Sequence, residues 1–239
     1  MGTEGVQIFS EFLGTMILVL LGDGVVAGVS LAKSKAKDAG WVAITLGWGL
    51  AVTVAVFASG YMGPAHINPA VTLGMAMSGN FDWGLVVPFI LAQTAGAIVG
   101  GILVWITYMP HWEATEDSGT ILGVFATGPA ISSPIANMIT ELIGTFVLVF
   151  SLLAFSQSEF AGGLNPVVVG LLIVSIGLSL GGPTGYAINP ARDLGPRIAH
   201  QILPIKNKGE SNWGYAWVPV VGPFVGGALA AIIWGFIPI

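Results

Sequence analysis

Six long apolar stretches are the feature of this sequence that most restricts its fold. Each is long enough to cross the roughly 30 Å of hydrocarbon in a bilayer as an α-helix. Only 8% of the residues are charged, against about 25% in an ordinary soluble domain. We therefore predict a multi-pass helical membrane protein. The predicted spans lie near residues 7–31, 41–60, 84–108, 135–156, 164–181 and 215–238.

Composition excludes several classes of function. The chain has no cysteine, so it contains neither disulfides nor thiolate metal sites. Its net charge of −5 comes from few groups and indicates no nucleic-acid partner. The three histidines lack metal-ligand spacing, and Ser and Asp do not cluster with His, so we expect no metal, no cofactor and no enzyme activity. Residues 1–10 carry no Lys or Arg, so the first apolar stretch is interpreted as a retained span and not as a cleaved signal.

The tetrapeptide Ile-Asn-Pro-Ala occurs twice, at 67–70 and 188–191. Asn is a good N-cap and Pro is favoured at the first helical position, so each copy predicts a helix start. The predicted helices, 68–77 and 189–200, are too short to cross a bilayer at 1.5 Å per residue. They are interpreted as half-helices.

The two halves of the sequence resemble each other. Glu-x-x-Gly-Thr occurs at 11–15 and 141–145, and Gly-Gly-x-Leu occurs at 100–103 and 226–229. The repeats, approximately 7–108 and 135–238 within a single channel domain (1–239), each contain three spans. Because three is odd, the second repeat enters from the opposite face, and both half-helices then begin near the midplane. Irregular backbone at that depth is tolerated when it lines a cavity, which is what we expect there.

Two Asn-Pro-Ala boxes in inverted three-span repeats resemble the aquaporin, or major intrinsic protein, family over nearly the whole chain. The stretch 185–197 is similar to the glycerol-facilitator (aquaglyceroporin) branch, because Asp193 follows Arg192. The resemblance implies an all-α membrane protein of the cell membrane, with six transmembrane helices plus two re-entrant half-helices, assembled as a homotetramer in the lipid bilayer. It implies a passive channel for glycerol, water and other small neutral solutes, with urea and undissociated short hydroxy acids as further candidates.

The two boxes are expected to form one site in the pore. Asn68 and Asn189 would offer amide N–H groups to a permeating hydroxyl, while their helix N-termini repel cations and interrupt proton transfer. The box residues are Asn68, Pro69, Ala70, Asn189, Pro190 and Ala191.

By motif position, the family's narrow filter corresponds to Trp48, Gly177, Tyr186 and Arg192. An unpaired guanidinium in a membrane span is costly and indicates function, and its fork can donate to adjacent hydroxyls. Gly177 leaves room for a carbon chain where water-specific relatives usually carry His. Tyr186 departs from the Phe of typical glycerol facilitators.

The resemblance also implies residues that brace the pore loops. Glu11 and Glu141 would each accept hydrogen bonds from the loop before a box, His66 would brace the first loop, and Asp193 would pair with loop groups. Six carbonyl groups precede the helix starts and are free to form an acceptor ladder along the pore. They belong to Pro64, Ala65, His66, Gly185, Tyr186 and Ala187.

The orientation in the membrane is predicted differently by two rules. All seven Lys and Arg residues lie within 33–37 and 192–208, on the same predicted face. The positive-inside rule places that face in the cytoplasm, whereas the family resemblance places it outside. We favour the family orientation.

Two rival functions follow from the same residues. A strictly water-selective channel would pass water and exclude glycerol. A proton-coupled secondary transporter would use the intramembrane carboxylates Glu11 and Glu141, although their duplication favours a structural role. An intramembrane enzyme is remote, because no catalytic set is present.

Overall fold

The computed structural model describes residues 2–238. Over that range the chain forms ten α-helices. In chain order they are α1 (Glu4–Ser30), α2 (Gly40–Ser59), α3 (Pro69–Met77), α4 (Trp83–Thr107), α5 (Met109–Ala114), α6 (Ser118–Phe125), α7 (Pro134–Phe155), α8 (Leu164–Leu180), α9 (Pro190–Ile202) and α10 (Val218–Trp234).

Six of these helices correspond to the predicted spans. Helices α1, α2, α4 and α7 are long and apolar enough to cross a membrane. Helices α8 and α10 are apolar and 17 residues long, which is the lower end of the range that spans hydrocarbon. The six predicted spans are confirmed to within a few residues, and the chain is an integral, multi-pass membrane protein.

Helices α3 and α9 are the two half-helices, 9 and 13 residues long. Asn68 caps α3 by accepting a hydrogen bond from the backbone of Ala70, and Asn189 caps α9 in the same way. Proline occupies the first turn of both helices, where its missing N–H costs no hydrogen bond.

Glycines set the packing of the spans in both halves. A Cβ on Gly96 of α4 would overlap the carbonyl oxygen of Phe12 in α1, and a Cβ on Gly226 of α10 would overlap that of Leu142 in α7. The halves meet where α2 crosses α8, and a Cβ on Gly49 would lie 2.6 Å from the carbonyl oxygen of Gly170. Such close approach requires the absence of a side chain at these positions.

The long connection between the halves contains two short helices, α5 and α6, which the sequence did not predict. Asp117 caps α6, and hydrogen bonds from the side chain and backbone of Thr120 lower the pKa of this carboxyl. Beyond α6 the chain passes over the loop that precedes α9, where the backbone of Ala130 donates to the carbonyl of Pro183.

Candidate pore and constriction

The loops before the two half-helices are joined by reciprocal hydrogen bonds. Asn68 Nδ2 donates to the carbonyl of Ile188 over 2.8 Å, and Asn189 Nδ2 donates to the carbonyl of Ile67 over 2.8 Å. Each amide oxygen is already used to cap its own helix. Since an amide has two N–H groups, each Asn retains one donor for a molecule in the pore.

Both loops hold non-glycine residues in the left-handed region, at matching positions. The φ angles are +51° at Ala65 and +46° at Ile67 in the first loop, and +39° at Tyr186 and +42° at Ile188 in the second. A β-branched residue with positive φ is strained, and such strain persists only where the surroundings impose it. The surroundings therefore have to hold these loops in place.

Two buried carboxylates supply that restraint. Glu11 accepts from the backbone N–H groups of His66 and Ile67, at 2.7 and 2.6 Å. Glu141 accepts from those of Ala187 and Ile188, at 3.0 and 2.7 Å. Because the loop amides donate to the carboxylates, the loop carbonyls are left for other partners.

The first brace has further members that the sequence did not single out. Gln93 of α4 donates to Glu11 at 2.7 Å and to the hydroxyl of Thr72 at 2.9 Å. The His66 ring Nδ1 lies 3.2 Å from the same hydroxyl. A polar residue inside an apolar span was the available signal for Gln93.

A cavity of about 550 Å³ runs along the two boxes. Its wall includes Asn68 and Asn189 at the centre, Arg192 near one end, and Ser156 and Phe160 at the other. Five of the predicted carbonyl residues line it, namely Pro64, Ala65, His66, Tyr186 and Ala187. Gly185 lies outside this lining; its N–H donates to the carbonyl of Gly181.

One end of the cavity is formed by Trp48, Tyr186 and Arg192, each at most 6% exposed. The guanidinium carbon of Arg192 lies 4.0 Å from the centroid of the Trp48 ring, which is a cation–π geometry. The expectation of an unpaired guanidinium is wrong, because Nη1 of Arg192 lies 3.3 Å from Oδ1 of the buried Asp23.

Gly177 lies behind the cavity wall and not in it. A Cβ on Gly177 would lie 2.7 Å from Cζ and 2.9 Å from Oη of Tyr186. The ring of Tyr186 also meets Trp41 edge-on, at a centroid distance of 5.7 Å, and the Trp41 indole donates to the carbonyl of Gly177. The space that Gly177 leaves is thus filled by the Tyr186 ring.

Asp193 belongs to a buried network that fastens the connection after α6 onto α9. Its Oδ2 accepts from the backbone and hydroxyl of Thr127, at 2.7 and 2.6 Å. Its Oδ1 pairs with Arg197, which also donates to the carbonyls of Thr127, Ser211 and Asn212. The sequence did not single out Arg197, because a lone Arg near the end of a short polar helix is usually a surface charge.

Among residues 2–238, no group of three or more His, Asp or Glu side chains is placed to hold a metal ion. The side chains and carbonyls that line the cavity supply hydrogen-bond donors, acceptors and apolar rings.

Comparisons with known proteins agree with this geometry. Residues 4–234 match the family model described as "Major intrinsic protein". The chain is 66% identical over 97% of both chains to "Glycerol uptake facilitator protein 3" of Lactiplantibacillus plantarum. It is 59% identical, over 95% of this chain and 97% of the relative, to "Glycerol uptake facilitator protein" of Streptococcus pneumoniae.

Among solved structures, the aquaglyceroporin from Plasmodium falciparum superposes with a TM-score of 0.87 at 32% identity, covering 98% of this chain and 97% of its own. The chain belongs to the major intrinsic protein family.

Proposed function

We propose that the chain is a passive channel of the cell membrane for glycerol, water and other small neutral solutes. The observation that carries this proposal is the cavity of about 550 Å³, which runs from Trp48 and Arg192 past Asn68 and Asn189. The relatives named as glycerol uptake facilitators support glycerol as a solute. Urea and undissociated short hydroxy acids share its small size and neutral polarity.

The end of the cavity formed by Trp48, Tyr186 and Arg192 is called the constriction. It selects solutes that have hydroxyl groups on one side and a carbon chain on the other. Arg192 donates hydrogen bonds to adjacent hydroxyl groups, and the rings of Trp48 and Tyr186 accept the CH side of a short carbon chain. Gly177 lies behind the Tyr186 ring and contributes indirectly, because the absence of a side chain at Gly177 lets the ring lie away from the passage.

Beyond the constriction, the solute exchanges its water shell for protein groups. The carbonyls lining the wall accept from its hydroxyls, and the remaining N–H groups of Asn68 and Asn189 donate to its oxygens. The N-termini of α3 and α9 meet at this point, and each carries about half a positive charge. Cations and protons are therefore excluded.

Glu11 and Glu141 have a bracing role in this proposal. Both accept two backbone hydrogen bonds from a strained loop. His66 supports the first loop through Thr72, and Asp193 holds Thr127 in the connection that passes over the second loop. A proton-coupled carrier would instead have to protonate these carboxylates in each cycle, which would release the loops that form the pore.

We also propose a single channel domain over residues 1–239 that assembles as a homotetramer with one pore per protomer. Apolar side chains cover the outer surfaces of the spans, including Leu50, Val87 and Leu91, which are at least 64% exposed. Such surfaces require lipid or a neighbouring copy. Chemical cross-linking in native membranes should give a ladder that stops at four protomers.

The function is tested in proteoliposomes containing the purified protein. Under an osmotic gradient we expect rapid, non-saturating fluxes of both water and glycerol, unchanged by a pH gradient. Water flux without glycerol flux would identify a strictly water-selective channel. Saturable uptake that follows the pH gradient, and that Glu141→Gln abolishes in a folded protein, would identify a transporter.

A further inference from the structure

Asp23 is a buried carboxylate in the interior of α1 that the mechanism above does not use. It is fully buried, and its Oδ1 lies 3.3 Å from Nη1 of Arg192. Within residues 2–238, its Oδ2 has no hydrogen-bond partner. An ionisable group inside a membrane span is expensive and calls for a functional explanation.

Asp23 does not brace a loop as the other two buried carboxylates in the spans do. Glu11 and Glu141 occupy matching positions in the two repeats, and both accept from backbone N–H groups. Asp23 accepts only from a side chain, that of Arg192. Within the described part of the chain, Arg192 is thus its one hydrogen-bond partner.

The internal repeat supports this pairing independently. Leu153 follows Glu141 at the same interval at which Asp23 follows Glu11, and Val71 follows Asn68 at the interval at which Arg192 follows Asn189. Leu153 and Val71 belong to one apolar core cluster. Each repeat thus has one of these two positions charged and the other repeat has an apolar residue there. The two charged residues are the ones that pair with each other.

The charge of Arg192 needs a partner at this position. The guanidinium lies near the N-terminus of α9, whose dipole adds further positive potential. Asp193, the next residue, is occupied by Arg197 and Thr127. An uncompensated guanidinium fork in a buried constriction would bind carboxylates and other small anions.

We propose that Asp23 is a positioning residue of the constriction, which cancels the charge of Arg192 and holds its guanidinium against Trp48. The remaining N–H groups of Arg192 then donate to neutral hydroxyls without forming an anion site. Gly22, the preceding residue of α1, completes this support, because a Cβ there would overlap the Trp48 ring. The inference rests on the proposed channel function and adds the way in which the channel avoids anions.

Asp23→Asn tests the inference, because it keeps the shape of the side chain and removes its charge. Fluxes of water and glycerol are measured in proteoliposomes at neutral pH, with and without formate. We expect formate to leave the wild-type fluxes unchanged and to inhibit both fluxes of the variant. The affinity of the variant for formate should be about tenfold higher than that of the wild type, the scale of one hydrogen bond to a charged group. Asp82→Asn is the matched control: it is exposed and caps α4, where Asn caps equally well.

The double variant Asp23→Asn with Arg192→Gln separates a charge effect from a packing effect. If the anion binds at the guanidinium, the double variant loses the sensitivity to formate. A formate-insensitive Asp23→Asn channel, or sensitivity that survives in the double variant, would overturn the proposal. If Asp23→Asn does not assemble, Asp23→Ser is used with the same expected outcomes.

The fluxes of the wild type without formate test the proposed function separately. If the wild type passes water but not glycerol, the glycerol assignment fails, while the water flux still reports whether formate blocks the variant.

Discussion

At the residue scale, the constriction depends on how closely Tyr186 packs against a residue without a side chain. Gly177 and Gly181 form the surface on which the ring rests; a Cβ at Gly177 would lie 2.7 Å from Cζ of the ring. The sequence identified Gly177 as the key small residue, but assigned the space to the solute. The structure gives that space to Tyr186, so the width of the passage is set by where this ring can go.

Gly177→His is expected to reduce glycerol flux far more than water flux. The imidazole needs the volume of the Tyr186 ring and pushes it toward Arg192, and a solute carrying a carbon chain is excluded first. A steric misfit of one or more methylene groups in a binding site lowers the rate for the larger solute by about tenfold or more. We expect a loss of glycerol flux of that size. Parallel glycerol and water fluxes in proteoliposomes measure the ratio.

Gly182→His is the matched control for Gly177→His, because nothing lies within 4 Å of a Cβ built at Gly182. It should leave both fluxes near those of the wild type. Equal loss of glycerol and water flux in Gly177→His would show that Gly177 and Tyr186 do not set the selectivity between the two solutes.

The residues that the sequence missed share one property. Gln93 and Asp23 act through partners that are distant in sequence, and Arg197 also reaches the carbonyl of Thr127 in the connection between the halves. None of the three belongs to a repeated motif. Glu11 and Glu141 were identified because the repeat showed them twice. A single carboxylate in an apolar stretch was a usable signal for Asp23, but its partner followed only from the fold.

At the element scale, the spans and the half-helices were predictable, because apolar length and the Asn-Pro cap are local signals. Helices α5 and α6 were not predicted, since they are only 6 and 8 residues long and lie in a polar connection. The alignment of the repeats also needs a correction. Gly226 was matched with Gly100, whereas the contacts match it with Gly96, one helical turn earlier and on the same face.

Gly96→Ala is expected to destabilise the protein. The added methyl group would overlap the backbone of Phe12, so α1 and α4 have to separate, at the cost of about 1–3 kcal/mol that is typical of overpacking. The midpoint temperature of thermal unfolding in detergent should fall. It is measured by monitoring aggregation or tryptophan fluorescence.

Gly24→Ala in α1 makes the same chemical change where no atom lies within 4 Å of the new Cβ. The midpoint temperature of thermal unfolding of this variant should equal that of the wild type or be slightly higher, because Ala is a better helix former than Gly. If both variants shift alike, helix propensity and not packing between α1 and α4 determines the effect.

At the scale of the whole molecule, the structure changes how the positive charges are counted. Arg192 and Arg197 are buried in ion pairs, Lys206 pairs with Glu113, and Lys208 donates to carbonyls at the end of α9. Lys37 likewise pairs with Asp38. Because acidic partners contribute little to the positive-inside rule, the loop lysines still count and only the two buried arginines drop out. The positive-inside rule acts on Lys and Arg in short loops, so its evidence here is weaker than the sequence suggested.

We predict that the connection between α1 and α2 faces the outside of the cell, as the family orientation implies. Because the chain has no cysteine, a single Lys35→Cys variant can be labelled cleanly with a membrane-impermeant maleimide on intact cells. Gln157→Cys lies in the connection between α7 and α8 and is exposed. Since an odd number of crossings (α2, α4 and α7) separates the two connections, Gln157→Cys should react only after the membrane is opened. The reverse pattern of labelling would show that the loop lysines suffice to orient the whole bundle, with the Trp48–Arg192 end of the pore then facing the cytoplasm.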